Sequence, residues 1–171
     1  MKTLFIGLTF LLASSFVKHP KQATTDVYYQ VDYIGTTQVD ANYEWVWKVT
    51  NPFPGSGKDG TTLQDLSHWS IDLGSCVTQA DIVGAAYSMD GINWTSMSST
   101  IAVDPSATCY GNAVMKFNFG LNDEVPTYYK LIVNRPFNGG YIPAVFKSGR
   151  YTGCYVSTVW GLTCAVEPPR E

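Results

Sequence analysis

The residues that could carry acid–base or nucleophilic chemistry are few in this chain, and the first candidates are the adjacent Ser67 and His68. The carboxylates nearest to them in the sequence are Asp65 and Asp72, which makes a Ser-His-Asp site worth considering. In an extended strand, however, consecutive side chains point to opposite faces, so His68 would face away from Ser67. The strand pattern therefore argues against a catalytic site. Because such a site is defined by its geometry in space, the structure decides.

Two other catalytic patterns are incomplete. Glycoside cleavage needs two acids that face each other across a cleft, and nothing in the sequence marks any two of Asp32, Glu44 and Asp72 as such a pair. Residues 55–58 look like a phosphate-binding loop, but Pro52 stands where the first glycine is needed and no helical pattern follows. The interpretation is a protein without catalytic activity, for which no catalytic residue is assigned. A secreted hydrolase is the alternative.

Cysteine is the residue type with the clearest chemistry. The four cysteines are Cys76, Cys109, Cys154 and Cys164. An even number in an exported protein favours two disulfides. A zinc site is the alternative, but the chain has no C-x-x-C pair, and His68 is the only histidine beyond the leader region. We therefore expect disulfides, no metal and no cofactor.

The predicted disulfides are Cys76–Cys164 and Cys109–Cys154. Cys76 follows a predicted strand and Cys164 closes the last one, so their bond would tie the end of the domain to its middle. Cys109 lies in a turn-like stretch and Cys154 begins the last strand. The competing Cys154–Cys164 bond would join residues about 33 Å apart on an extended strand, so it requires a tight hairpin between them.

Aromatic residues make up 14% of the chain, which is high beside its 15% of charged residues. The tryptophans at alternating positions of predicted strands are expected in the core: Trp45, Trp47 and Trp69. Other rings fall near turns or near the end of the domain and are candidates for exposure: Trp94, Trp160, Tyr110, Tyr141 and Tyr151. Exposed flat rings can stack on sugar faces. Core packing is the preferred interpretation for these rings; the alternative is that exposed rings bind a ligand, and the candidate ligand-binding residues are then Trp94, Trp160 and Tyr151.

Residues 88–94 (SMDGINW) are similar to the Asp-box of sialidase-type propellers, in which a small polar residue, an aspartate, a glycine and a tryptophan fix a hairpin. The spacing differs by one residue, and the pattern occurs once rather than once per blade. A two-residue hairpin turn with left-handed φ values at Asp90 and Gly91 is therefore the preferred interpretation.

The elements that must position these residues are strands. Alternation with a period of two recurs along the chain, no window of a dozen residues has a helical period, and turn residues occur about every ten residues. The predicted strands cover residues 26–34, 43–50, 66–73, 82–89, 92–97, 113–119, 127–134, 142–147 and 151–160. We predict an all-β protein, an antiparallel β-sandwich (Ig-like or related) of about nine short strands. A closed barrel is the alternative.

The N-terminus has the pattern of a secretory signal. Lys2 precedes an apolar run, and small residues follow at positions 13–15. The run is shorter than the roughly twenty residues that a membrane span needs, so we expect no membrane span in the mature form. The predicted organisation is a signal peptide whose helix packs on nothing in the domain, a flexible segment, the sandwich domain and a tail: residues 1–15, 16–25, 26–166 and 167–171. The predicted location is secreted or at the cell surface.

The charge of the chain limits its partners. The formal net charge is −3, and the only arginines are Arg135, Arg150 and Arg170. A nucleic acid or an anionic lipid surface requires a basic patch, which this composition does not favour. The expected partners are an extracellular glycan or a surface protein, and the sequence does not specify an oligomeric state.

Several stretches together resemble a group of small bacterial secreted domains of unassigned function. They are WVWKVTNP (45–52), LSHWSIDLGSC (66–76), GNAVMKFNFGL (111–121), VFKSGRYTG (145–153) and the closing GLTC (161–164). The most specific element is the LSHW strand that runs into a cysteine, with a second cysteine near the end of the domain. The resemblance implies an extracellular β-sandwich, often found beside surface-anchor or adhesion modules. We therefore expect a structural or adhesive module, with a lectin-like carbohydrate-binding module as the alternative.

Overall fold

The computed structural model describes residues 28–122 and 125–164. Three predicted segments lie outside these residues: the leader (1–15) with its helix, the segment 16–25 and the tail (167–171). The described part of the chain is almost entirely β-structure, with ten strands and a single-turn 3₁₀ helix, Gln79–Asp81. Among these residues there is no helix with the length and apolar character that crossing a membrane requires.

The strands form two antiparallel sheets of five strands each. In chain order they are β1 (Gln30–Val39), β2 (Asn42–Thr50), β3 (Leu66–Ile71), β4 (Ile82–Ser88), β5 (Thr95–Met97), β6 (Ile101–Val103), β7 (Ala113–Phe117), β8 (Thr127–Val133), β9 (Asn138–Ser148) and β10 (Cys154–Thr163). The first sheet has the order β1-β2-β8-β4-β5 and the second has the order β10-β9-β3-β7-β6. Buried residues of both sheets belong to one hydrophobic cluster, so the sheets pack face to face. The predicted antiparallel β-sandwich is confirmed.

The core between the sheets is built from aromatic side chains that alternate along their strands. Trp47 on β2 contacts Trp69 on β3 edge to face, with ring centroids 6.0 Å apart. Trp69 stacks on Phe117 of β7 with centroids 4.8 Å apart. These rings and Trp45 are buried, as predicted for the three alternating tryptophans. Each large ring removes much apolar surface from water, and the edge-to-face and stacked contacts add to that stabilisation.

Strand bounds differ from the sequence prediction in several places, and the differences are largest for β1 and β6. β1 begins at Gln30 and continues to Val39, beyond the predicted end at residue 34. A β-bulge between Tyr33 and Gly35 interrupts the alternation of its side chains, and the pairing with β2 continues on the other side of the bulge. The strand β6 pairs with β7 and is not among the predicted strands. Three residues are too few for an alternation pattern to be recognised.

The prediction of a two-residue turn within residues 88–94 is wrong. β4 and β5 pair only outside this segment, and of the two central residues only Gly91 has a left-handed φ, 73°. The carboxylate of Asp90 accepts 2.8 Å hydrogen bonds from two backbone N–H groups of the loop and from Ser88 Oγ. These side-chain bonds stabilise a longer loop, which competes with the tight turn that the Asp-Gly dipeptide favours.

Two disulfides connect distant parts of the chain. The structure pairs Cys76 with Cys164 and Cys109 with Cys154, which is the pairing the sequence predicts. The first bond joins the segment after β3 to the end of β10. The second joins residues 104–112 to the start of β10, so that this loop covers part of the outer face of the second sheet over a small apolar cluster of its own.

Candidate functional site

An exposed pair of aromatic rings lies on the outer face of the second sheet. Tyr141 of β9 and Trp160 of β10 are cross-strand partners, and their neighbours Ile142 and Val159 belong to the core. The two rings therefore point outward. Their centroids are 5.3 Å apart and their planes meet at 89°, while Tyr141 is 76% and Trp160 is 37% exposed. The rings form an open right angle, which we call the aromatic corner.

Gly139 allows the Trp160 ring to lie directly against the sheet. A Cβ atom at residue 139 would lie 2.8 Å from Cζ2 and from Nε1 of this ring, closer than atoms can approach. The backbone of Trp160 is held from the core side, because Trp47 Nε1 donates a 2.7 Å hydrogen bond to its carbonyl oxygen. The ring is thus supported by backbone and remains partly open to solvent, which makes the aromatic corner a preformed surface.

A carboxylate lies beside the aromatic corner. Asp72 N donates a 2.9 Å hydrogen bond to Pro143 O, two residues along β9 from Tyr141. Asp72 and Tyr141 both line a cavity of about 250 Å³. The Asp72 carboxylate accepts hydrogen bonds from Tyr110 Oη at 2.6 Å and from Gly74 N at 2.8 Å. The corner therefore combines apolar ring surface with an oriented hydrogen-bond acceptor.

The acid–base properties of this acceptor suit hydrogen bonding. Partial burial raises the pKa of Asp72, but the hydrogen bonds from Tyr110, Gly74 and Asn112 outweigh burial and leave the pKa below its ordinary value. Burial and the bond to Asp72 raise the pKa of Tyr110. Asp72 therefore stays ionised at neutral pH and Tyr110 stays a donor to it.

The three predicted ligand-binding residues lie in three separate places. Trp160 belongs to the aromatic corner. Trp94 is partly buried in the loop directly before β5, and Nζ of Lys130 on β8 lies 4.3 Å from its ring centroid. Tyr151 lies in the turn between β9 and β10, with Lys58 Nζ 5.3 Å from its ring centroid. The structure does not bring them together, but it joins Trp160 to Tyr141.

A polar cluster lies beneath the loop 104–112. His68 Nε2 and Lys116 Nζ lie 2.8 Å and 3.1 Å from Asp104 Oδ2. Neither contact has the alignment of a hydrogen bond. The other oxygen, Oδ1, accepts a 2.6 Å hydrogen bond from Ser106 Oγ. His68 and Asp104 are 5% and 8% exposed, so the cluster fastens the loop to the sheet from inside.

The interpretation of Ser67 and His68 as residues on opposite faces needs correction. A β-bulge at Ser67 interrupts the alternation, and Ser67 Oγ lies 3.3 Å from His68 Nδ1. The carboxylate that reaches His68 is Asp104, and not Asp65 or Asp72. Serine on one ring nitrogen and a carboxylate on the other resembles a Ser-His-Asp site, but the two nitrogens are exchanged, because in such a site the serine contacts Nε2 and the carboxylate contacts Nδ1. Ser67 is exposed and lines a groove of about 770 Å³.

The charges within this cluster follow from its burial. Burial and the charge of Lys116 lower the pKa of His68, which outweighs the opposite effect of Asp104. Burial raises the pKa of Asp104, but its hydrogen bonds with Ser106 and its close contacts with Lys116 and His68 bring the pKa well below its ordinary value. At neutral pH the ion pair is therefore Asp104 with Lys116, and His68 is a neutral neighbour.

Comparison with known proteins assigns no function to the aromatic corner or to the cluster around His68. No protein-family model matches the chain, and no curated protein is significantly similar to it. Within residues 28–122 and 125–164, no group of three His, Cys, Asp or Glu side chains is placed to hold a metal ion. The function must therefore be argued from the geometry of the described residues.

Sequence reasoning missed the residues that complete the aromatic corner. Gly139 and Asp72 approach Trp160 and Tyr141 only through the strand pairing of β9 with β10 and with β3. The register of a long hairpin cannot be read from side-chain alternation alone. The available signal is the pair Gly139-Gly140 just before the predicted strand 142–147, because a glycine that falls in a strand marks close approach of another group.

Proposed function

We propose that this protein is an extracellular adhesive module that binds carbohydrate at the aromatic corner and has no catalytic activity. The observation that carries the proposal is the Trp160 ring held against Gly139, with the Tyr141 ring at 89° to it. The leader pattern and the two disulfides support secretion, since disulfides persist in oxidising compartments.

The corner fits a pyranose ring. The apolar face of the sugar stacks on Trp160, and its edge packs against the exposed Tyr141. A hydroxyl group of the sugar donates to the ionised carboxylate of Asp72, which lines the adjoining cavity. Because a carboxylate repels anions and accepts hydrogen bonds, this site favours a neutral sugar.

We expect Trp160→Ala to weaken the binding of neutral glycans by at least about tenfold, a loss of about 1.4 kcal/mol. A glycan array identifies the ligand, and isothermal titration of the best neutral ligand measures the loss. Gly139→Ala should also weaken binding, because its new Cβ displaces the Trp160 ring. Circular dichroism checks that each variant is folded.

Trp94→Ala is the matched control, since it removes a partly buried tryptophan that lies beside the other sheet and should leave binding unchanged. A wild-type protein that binds no glycan would leave a purely structural module as the function. Sugar binding that depends on Trp94 and not on Trp160 would place the site on the first sheet.

A second candidate function, hydrolysis, is favoured by the contacts among Ser67, His68 and Asp104. In such a reaction Ser67 Oγ attacks the acyl carbon of an ester while its proton passes to His68 Nδ1, the alcohol leaves with that proton, and water then hydrolyses the acyl-serine to the acid. Two features oppose this function. Asp104 is shared with Lys116 and Ser106, and the 3.3 Å contact between Ser67 and His68 is long for a hydrogen bond between hydroxyl and ring nitrogen.

A fluorophosphonate probe separates the two functions. An activated serine attacks the probe's phosphorus, fluoride leaves, and a stable phosphonate ester remains on the oxygen. We expect no labelling of the wild type above the level of Ser67→Ala, because the adhesive function needs no activated serine. Labelling of the folded wild type at Ser67 that is lost in Asp104→Asn would establish a hydrolase instead.

A further inference from the structure

Tyr151 lies next to two cations that have no carboxylate partner among the described residues. Lys58 Nζ is 5.3 Å and Arg150 Cζ is 6.0 Å from the Tyr151 ring centroid. The other cations of the described residues are engaged elsewhere. Lys48, Lys116, Lys130 and Arg135 pair with carboxylates, and Lys147 donates to a carbonyl oxygen. In an acidic chain, two uncompensated cations beside one exposed ring form a local positive site.

The position of Tyr151 is fixed by Gln64. The side-chain oxygen Oε1 of Gln64 accepts hydrogen bonds from Tyr151 N at 2.6 Å and from Thr152 N at 3.1 Å. In return, Gln64 N donates a 2.8 Å hydrogen bond to Thr152 Oγ1. The turn between β9 and β10 is therefore held in one orientation, although the Tyr151 side chain is 51% exposed.

The loop that carries Lys58 is held close to the same turn. Gly57 has a left-handed φ of 70°, and a Cβ atom there would lie 2.7 Å from Thr152 Oγ1. Only glycine permits this approach, which brings Lys58 to the Tyr151 ring. The neighbouring carboxylate of Asp59 accepts a 3.0 Å hydrogen bond from Thr61 N within its own loop.

A small cavity adjoins this cationic site. Its volume is about 180 Å³, and it lies between the two loops. Tyr28, Tyr151 and Tyr155 are among the residues that line it. The site thus offers aromatic surface beside positive charge, which is the reverse of the aromatic corner with its carboxylate. A ligand with a flat apolar face and an anionic group matches both features.

We propose that Tyr151, Lys58 and Arg150 form a second carbohydrate-contact site, which binds a sugar that carries a carboxylate or sulfate group. The proposal rests on the proposed function in taking the ligand to be carbohydrate. The sugar ring packs on Tyr151, and its anionic group lies between the Lys58 ammonium and the Arg150 guanidinium. The module would then select acidic polysaccharides at this site and neutral sugars at the aromatic corner.

The test uses isothermal titration with tetragalacturonate, with its methyl ester and with inorganic sulfate. The methyl ester keeps the sugar rings and lacks the charge. We expect tetragalacturonate to bind more tightly than its ester, and to bind about two- to fivefold more weakly to Lys58→Gln or Arg150→Gln, as for partly exposed ion pairs. The double variant should lose about tenfold. Raising the salt concentration should weaken only the binding of the acid.

Lys48→Gln is the matched control, because Lys48 lies on the first sheet and already pairs with Asp32 at 4.0 Å; it should leave binding unchanged. Equal affinities of the wild type and the folded double variant for tetragalacturonate would overturn the proposal. Sulfate binding as tight as sugar binding would also overturn it, because the site would then recognise a simple anion.

The experiments test the two proposed sites independently. If Trp160→Ala abolishes binding of the neutral ligand while the double variant has no effect on the acid, the aromatic corner stands and the cationic site does not. If the double variant weakens acid binding while Trp160→Ala affects no ligand, the cationic site stands and the aromatic corner does not.

Discussion

Replacing both cysteines of the Cys76–Cys164 bond by alanine should lower the free energy of unfolding by about 4 to 5 kcal/mol. The bond closes a loop with a sequence separation of 88 residues, and its removal returns that freedom to the unfolded chain. A domain of this size is stabilised by only about 5 to 15 kcal/mol. Urea unfolding of the variant, followed by tryptophan fluorescence, should therefore show a much lower midpoint than the wild type.

The Cys109→Ala/Cys154→Ala variant is the natural comparison. Its loop is shorter, with a separation of 45 residues, so the entropic loss is slightly smaller, about 4 kcal/mol. This bond also holds residues 104–112 over the outer face, whereas Cys164 lines the cavity beside Tyr141. Because Tyr110, next to Cys109, donates to Asp72, loss of either bond should weaken glycan binding at the aromatic corner. A loss below about 1 kcal/mol in either variant would contradict the chain-entropy argument.

The sandwich could be predicted because its core residues follow a strict period of two. Trp45 and Trp47 on β2 and Trp69 on β3 occupy the alternating positions that a buried face requires, and all are buried. The pattern fails where side chains satisfy the backbone locally. The carboxylate of Asp90 accepts backbone hydrogen bonds that stabilise a loop where a tight turn was predicted. At Ser67 a β-bulge interrupts the alternation of side chains along β3.

The candidate sites were less predictable because they depend on contacts between distant segments. Trp160 can be recognised as exposed from its position near the end of the domain, but its partner Tyr141 follows only from the register of β9 with β10. Asp104 meets His68 because the Cys109–Cys154 bond holds its loop over β3. No local pattern near His68 indicates that carboxylate, so sequence proximity favoured Asp65 and Asp72 instead.

Replacing Asp104 by alanine should destabilise the domain by about 2 to 3 kcal/mol, which is less than the roughly 3 to 5 kcal/mol for a broken buried pair because Lys116 is partly exposed. The substitution leaves Lys116 without its counter-charge and Ser106 without its acceptor. Asp32→Ala is the matched control, since Asp32 pairs with Lys48 at 4.0 Å near the surface. It should cost at most about 0.5 kcal/mol. Equal urea midpoints for the two variants would contradict this role of Asp104.

The same cluster should make stability depend on pH through His68. Because the pKa of folded His68 lies below its ordinary value of 6.5, the unfolded chain binds more protons, and stability falls as the pH drops below about 6.5. The pKa of Asp104 is also lowered, so its contribution is present above about pH 3.8 and is lost on further acidification. Urea midpoints measured between pH 7.5 and pH 4.5 report the contribution of His68, because this range lies above the pH at which the contribution of Asp104 is lost. A His68→Gln variant that keeps the full wild-type loss over this range would show that other groups cause it, whereas a flatter profile would place the proton on His68.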